Sequence, residues 1–121
     1  MSAFTNTKAD RCVHAGRHFF IIRDAYPVSP GHCLIVSNRE VSDFFELSED
    51  EHADLASMVL VAKQLIEAEH APSGYNIGMN CGISAGQTVM HFHCHVIPRY
   101  TGDAEDPRGG VRHCVPGKGY Y

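Results

Sequence analysis

No stretch of the 121-residue chain approaches the ~20 consecutive apolar residues that a membrane span requires. The first residues, MSAFTNTKADRC, lack a basic segment followed by an apolar one. The expectation is a protein with neither a membrane partner nor a cleaved secretory leader. Basic excess is missing as well. A net charge of −4 argues against a nucleic-acid partner held by phosphate electrostatics. No CxxC pair occurs, and the five cysteines (12, 33, 81, 94, 114) are odd in number. That fits reduced thiols in a cytoplasmic protein better than a disulfide scaffold. Cys12 and His14 lie close together without a second pair, so a structural zinc site is not expected. What remains is a chain with 44% hydrophobic residues, enough for one folded domain spanning 1–121.

Charge is unevenly spread. Residues 40–54 are acidic and read as a solvated face, whereas 107–121 hold Arg108, Arg112 and Lys118 and no acid. His18 to Ile22 and His32 to Ser37 read as two antiparallel strands, joined by a loop containing Pro27, Pro30 and Gly31. Ser42 to Leu47 looks like a short helical turn. Ser48 and Glu51 then match a capping box. Behind it, Leu55, Met58, Val59, Ala62, Leu65 and Ile66 recur at three and four residues, one stripe of a helix ending near His70. Residues 75–80 and Gln87 to Pro98 read as further strands around a Gly-rich turn. The segment 101–121 looks irregular, with a short edge strand expected at Val111 to Val115. The fold class is α+β, a mostly antiparallel sheet of about five strands with one long helix packed on it.

The chemistry concentrates in His91-Phe92-His93-Cys94-His95. Strand residues two apart point the same way, so the three imidazoles should share one face about 7 Å apart. Phe92, Cys94 and Val96 would pack against the helix. Three imidazoles in a row suit a nucleophile with acid–base helpers, because neutral imidazole is available near pH 7. They also suit a metal site, or an exposed face without chemistry. The metal alternative lacks a nearby carboxylate: none lies between residues 79 and 102. Just upstream, Gly86 would let the backbone approach a ligand, and Gln87 and Thr88 offer neutral donors.

The run from Gly86 to Arg99 resembles the signature of the histidine-triad (HIT) family, His-φ-His-φ-His-φ-φ with φ apolar. It is most similar to the branch of fragile-histidine proteins and bacterial diadenosine-polyphosphate hydrolases. The resemblance spans roughly residues 18–100, including Asp24, the Pro30-Gly31-His32 segment, the capped helix and Asn80. It implies an attack by His93 on a nucleotide's α-phosphorus, a covalent nucleotidyl-histidine, and release of a nucleoside monophosphate. His95 would bond the α-phosphate and help charge leave, while His91 sits behind and orients the others. His32 would join the same polar network. Asp24 would bind ribose hydroxyls, and Asn80, Gln87 and Thr88 would lie near the phosphates. An apolar slot around Phe20 and Ile22 would take the purine. His14, His18, His52, His70 and His113 read as surface residues.

Two positions depart from the fragile-histidine branch: Asn80 stands where that branch has Gln, and Asp24 where it has Asn. The leaving group is therefore open between dinucleoside polyphosphates and nucleoside phosphoramidates, and a non-catalytic nucleotide-binding module is the alternative. No cofactor is required by the implied chemistry, apart from a divalent cation carried by a polyphosphate. The resemblance also implies a homodimer with one continuous sheet, built through strand 75–80 and the central helix. The basic tail would then reach a polyphosphate.

Overall fold

A computed structural model describes residues 2–121. The chain order is α1 (Ala3–Arg11), β1 (Cys12–Ala15), β2 (Phe19–Arg23), β3 (Cys33–Ser37), α2 (Glu49–Glu67), β4 (Gly74–Gly78) and β5 (His93–Arg99). Single 3₁₀ turns occupy Phe44–Glu46, Ile83–Ala85 and Gly110–Cys114. The five strands form one antiparallel sheet in the order β1-β2-β3-β5-β4. No helix among the described residues is long and apolar enough to cross a membrane.

Strands β2 and β3 are buried along both faces, which is why they read as continuous apolar runs rather than alternating ones. Phe19, Ile21, Cys33, Ile35, Phe92, Cys94 and Val96 pack against Leu55, Met58, Ala62 and Ile66 of α2. The opposite face carries Phe20, Ile22, Leu34 and Val36, covered by Phe4 of α1 and by Cys12. Each side therefore has its own helix.

Helix α2 starts with the expected reciprocal cap. Ser48 Oγ accepts the Glu51 N–H, and Glu51 Oε1 accepts the Ser48 N–H at 2.8 Å. Glu51 is also clamped by Arg39, with Nη2 to Oε1 at 2.6 Å and Nε to Oε2 at 3.1 Å. Those bonds from Arg39, ahead of those from Ser48, hold the Glu51 carboxyl down at about 2 despite burial.

Three expectations are corrected. The last strand starts at His93, not Gln87, because residues 82–87 close a loop on themselves and 88–92 are irregular. Residues 110–114 form a 3₁₀ turn, not an edge strand: Gly109 and Gly110 adopt positive φ and bend the chain there. A short strand and a helix precede residue 18 (α1 and β1), which the sequence reading left without elements.

Candidate active site

In an antiparallel pair, residues directly opposite each other project from the same face. His93 is paired with Val36 and His95 with Leu34, which in turn face Phe20 and Ile22 of β2. His93 and His95 thus stand at the edge of an apolar floor, half-buried, with ring centroids 5.3 Å apart. That is closer than the 7 Å strand repeat because the rings lean together. His91 lies just before the strand, and its ring is fully buried. The Phe4 ring sits edge-on to both, with centroids 5.9 Å from His91 and 4.8 Å from His93. All three imidazoles therefore lie on the α1 side of the sheet.

Carbonyl oxygens only accept hydrogen bonds, and this decides the tautomers. His93 Nδ1 lies 2.8 Å from the His91 carbonyl oxygen, so Nδ1 carries the proton and Nε2 presents a lone pair. His91 Nε2 lies 2.7 Å from the Ser37 carbonyl, so it donates there. His91 Nδ1 then accepts, and the Ser2 hydroxyl contacts it. His32 Nδ1 accepts the Val28 N–H at 3.1 Å, which leaves its proton on Nε2. That proton points at His95 Nδ1, 2.9 Å away. His95, neutral, therefore holds its own proton on Nε2.

Burial favours this neutral state. The His95 pKa is pushed down to about 4, first by desolvation and then by His93 and His32, with Asp24 opposing. Desolvation likewise lowers His32, against the pull of Asp24. Neutral His95 thus presents an N–H donor from Nε2 beside the ring of His93.

Asp24 approaches this network with Oδ2, 3.4 Å from His32 Nε2 and 4.0 Å from His95 Nδ1. Its Oδ1 accepts the Tyr26 N–H at 2.9 Å, an Asx turn that opens the loop between β2 and β3. These three side chains offer ligand atoms within 4.8 Å of one another, close enough to hold a cation. Such a cation would have to displace the His32 Nε2 proton while Val28 occupies Nδ1. Imidazole has one lone pair too few for both, so a cation on Nε2 would cost His32 the hydrogen bond from Val28.

Gln87 is buried, and its amide is fully engaged. Oε1 accepts the Gly82 N–H at 2.8 Å, while Nε2 donates to the Ser42 and Val89 carbonyls at 2.7 and 3.1 Å. In this arrangement Gln87 ties down the loop, with both amide hydrogens given to carbonyls. Gly86, at φ 92°, closes the same loop in a conformation that disfavours a side chain. Thr88 and Asn80 are exposed on neighbouring segments. The tail basic residues are partly engaged: Arg108 pairs with Asp106 at 2.9 Å, and Arg112 donates to the Gly119 and Lys118 carbonyls.

Ser2, Phe4 and the Val28 N–H join the site without being expected from the sequence. Ser2 had a usable signal, since a serine before a polar run is a common N-cap. Phe4 had none, because α1 carries too few apolar residues to form a periodic stripe.

Residues 6–102 match the HIT domain family. An AP-4-A phosphorylase of Mycobacterium tuberculosis is 38% identical over 93 residues, 76% of this chain and 48% of its own length. A bis(5'-nucleosyl)-tetraphosphatase (asymmetrical) of Schizosaccharomyces pombe is 42% identical over 77 residues, 64% of this chain and 42% of that one. The chain spans about half the length of these curated relatives. A hypothetical histidine triad nucleotide-binding protein of Sulfolobus tokodaii has the same α+β fold. It superposes with a TM-score of 0.75 at 33% identity, over 86% of this chain and 70% of that one. The matched residues take in every strand of the sheet together with His91, His93 and His95, and the chain belongs to the HIT domain family.

Proposed function

We propose that this chain is a nucleotidyl hydrolase or transferase in which His93 attacks the α-phosphorus of a nucleotide. The observation that carries the reading is the tautomer of His93. Its Nδ1 proton is committed to the His91 carbonyl, so the free lone pair lies on Nε2. In the first step, Nε2 forms a bond to phosphorus. The bond from phosphorus to the leaving group breaks, and its electron pair departs with that group: a polyphosphate leaves as its anion, whereas a phosphoramidate nitrogen takes a proton from solvent and leaves as the amine. His95, with its proton on Nε2, donates a hydrogen bond to a phosphate oxygen and stabilises the charge that develops. In the second step, water attacks the phosphorus and the N–P bond breaks. The water's proton is lost to solvent, a nucleoside monophosphate leaves and neutral His93 is restored. Inorganic phosphate in place of water would release a nucleoside diphosphate.

Relatives named for phosphorylase and tetraphosphatase activity support dinucleoside polyphosphates as substrates. Nucleoside phosphoramidates present the same α-phosphate and remain the second substrate class. Asp24 would accept from ribose hydroxyls through Oδ2. The slot expected around Phe20 and Ile22 is filled, because both are buried beneath Phe4 and Cys12, so the base would lie against Phe4 instead. Asn80 and Thr88 would approach the phosphates. The chemistry needs no resident metal; a divalent cation would arrive with a polyphosphate. A homodimer joined through β4 and α2 belongs to the same reading.

The test is a substrate panel of diadenosine polyphosphates and adenosine phosphoramidates, quenched in acid-free conditions and followed by intact-protein mass spectrometry. The expected result is a transient mass gain of one nucleoside monophosphate that localises to His93. Turnover without any adduct, or an adduct on another residue, would overturn the assignment.

A further inference from the structure

We propose that Ser2 and Glu40 are positioning residues for the nucleophile, latching the start of α1 onto His91 and through it holding the ring of His93. The kinetic part rests on His93 being the nucleophile; the geometric part does not.

His91 precedes β5, so the strand ladder does not hold its ring. The ring is fully buried, and a buried ring nitrogen without a partner is costly. Nε2 donates to Ser37, and among the described residues the partner of Nδ1 is the Ser2 hydroxyl. Ser2 is fixed from three sides. It caps α1, with Oγ accepting the Thr5 N–H at 3.3 Å. Its Oγ lies 3.3 Å from the Thr5 hydroxyl. Its main-chain N–H donates to the Glu40 carboxylate, which sits three residues beyond the end of β3.

The latch reaches His93 by two routes. The His91 carbonyl, placed with its ring, takes the His93 Nδ1 proton. Phe4, in the first turn of the latched helix, sets its ring edge against His93. Together these fix both the tautomer and the tilt of the reacting imidazole. Small misplacement of reacting groups costs up to about 10²-fold in rate.

Three Ser2 variants separate the latch from the cap. Ser2→Thr keeps both the cap and the hydroxyl donor. Ser2→Asp keeps the cap but presents only an acceptor to His91 Nδ1. Ser2→Ala removes both. Imidazole ¹⁵N spectra of the full chain should show His91 protonated on Nε2 in the parent and in Ser2→Thr. In Ser2→Asp the carboxylate should draw a second proton onto Nδ1, while in Ser2→Ala Nε2 stays protonated on Ser37 and the Nδ1 resonance should shift as its hydrogen bond is lost. The kcat on the panel substrate should fall about tenfold in both, with KM changing less, and recover in Ser2→Thr. Glu40→Gln should give a smaller fall in the same direction. Unchanged ring spectra and kcat in Ser2→Asp would overturn the latch even if Ser2→Ala lost stability. If the parent turned over no nucleotide, the functional reading would fail, and the ring spectra would still decide the latch.

Discussion

His93 donates from Nδ1 to the main-chain oxygen of His91 across 2.8 Å, and this bond leaves Nε2 as the nitrogen able to react. Replacing His93 with Ala or Asn removes that lone pair without disturbing the buried face, because Cys94 and Phe92 carry the packing there. Turnover should fall by at least about 10³-fold. Nucleotide affinity should stay within severalfold of the parent, since the proposed base and ribose contacts lie elsewhere. Steady-state kinetics paired with titration calorimetry would check this. Residual turnover near the parent rate would mean that His93 is not the attacking group.

A second expectation concerns acid. The His95 pKa is about 4 in the folded chain against an ordinary 6.5, and His32 is lowered too. The unfolded chain therefore binds these protons more readily. The neutral rings' contribution to stability is complete above about pH 6.5 and is lost as pH falls toward 4. The carboxylates held low act in a lower window: Glu51 is at about 2 against 4.5, and Asp103 at about 2 against 3.8. Between pH 6.5 and 4.5 the histidines dominate. Urea unfolding at pH 7 and pH 5 should differ by on the order of 1–2 kcal/mol. His95→Gln should remove most of that difference; equal slopes in parent and variant would refute the buried-neutral assignment.

The helix cap offers a stability prediction of another kind. Glu51 is 2% exposed and takes bonds from the Ser48 N–H and from Nε and Nη2 of Arg39. Glu51→Ala removes the acceptor for all of them at once and opens the start of α2. The expected loss is about 1–2 kcal/mol by chemical denaturation, dominated by the lost cap because Arg39, the ion-pair partner, is exposed. A loss near zero would show that water replaces these bonds.

These elements differ in how legible they were. The stripe of α2 and its cap were visible because each rests on local spacing, as were β2 and β3. The grouping of His93 with His95 followed from the strand period alone. Asp24 and His32 could be brought to the triad only through family resemblance, since loop closure between β2 and β3 places them and no local pattern records it. The engagement of Gln87 was not legible for a similar reason. A polar residue after glycine looks available in sequence, but here Ser42, 45 residues earlier, takes its amide. Helix α1 was invisible because its stability comes from contacts with the triad face rather than from its own periodicity.

The tail provides the last prediction. Gly119 is buried, and a Cβ there would stand 2.0 Å from His113 Nδ1. His113 itself donates from Nε2 to the Arg108 carbonyl at 2.8 Å and packs on Tyr120. Gly109, at φ 95°, would likewise drive a Cβ to 2.3 Å from the Gly119 oxygen. Gly119→Ala must therefore push His113 out and unfasten residues 106–120, while the two cores of the sheet stay untouched. The melting temperature should move by only a few degrees, but limited proteolysis should cut the tail readily. If the tail's basic residues recognise polyphosphate, they do so from this folded arrangement. Gly119→Ala and truncation after Tyr100 should then both raise KM for diadenosine polyphosphates while sparing a phosphoramidate. Unchanged KM in both would remove the tail from substrate recognition and leave the triad face as the sole contact.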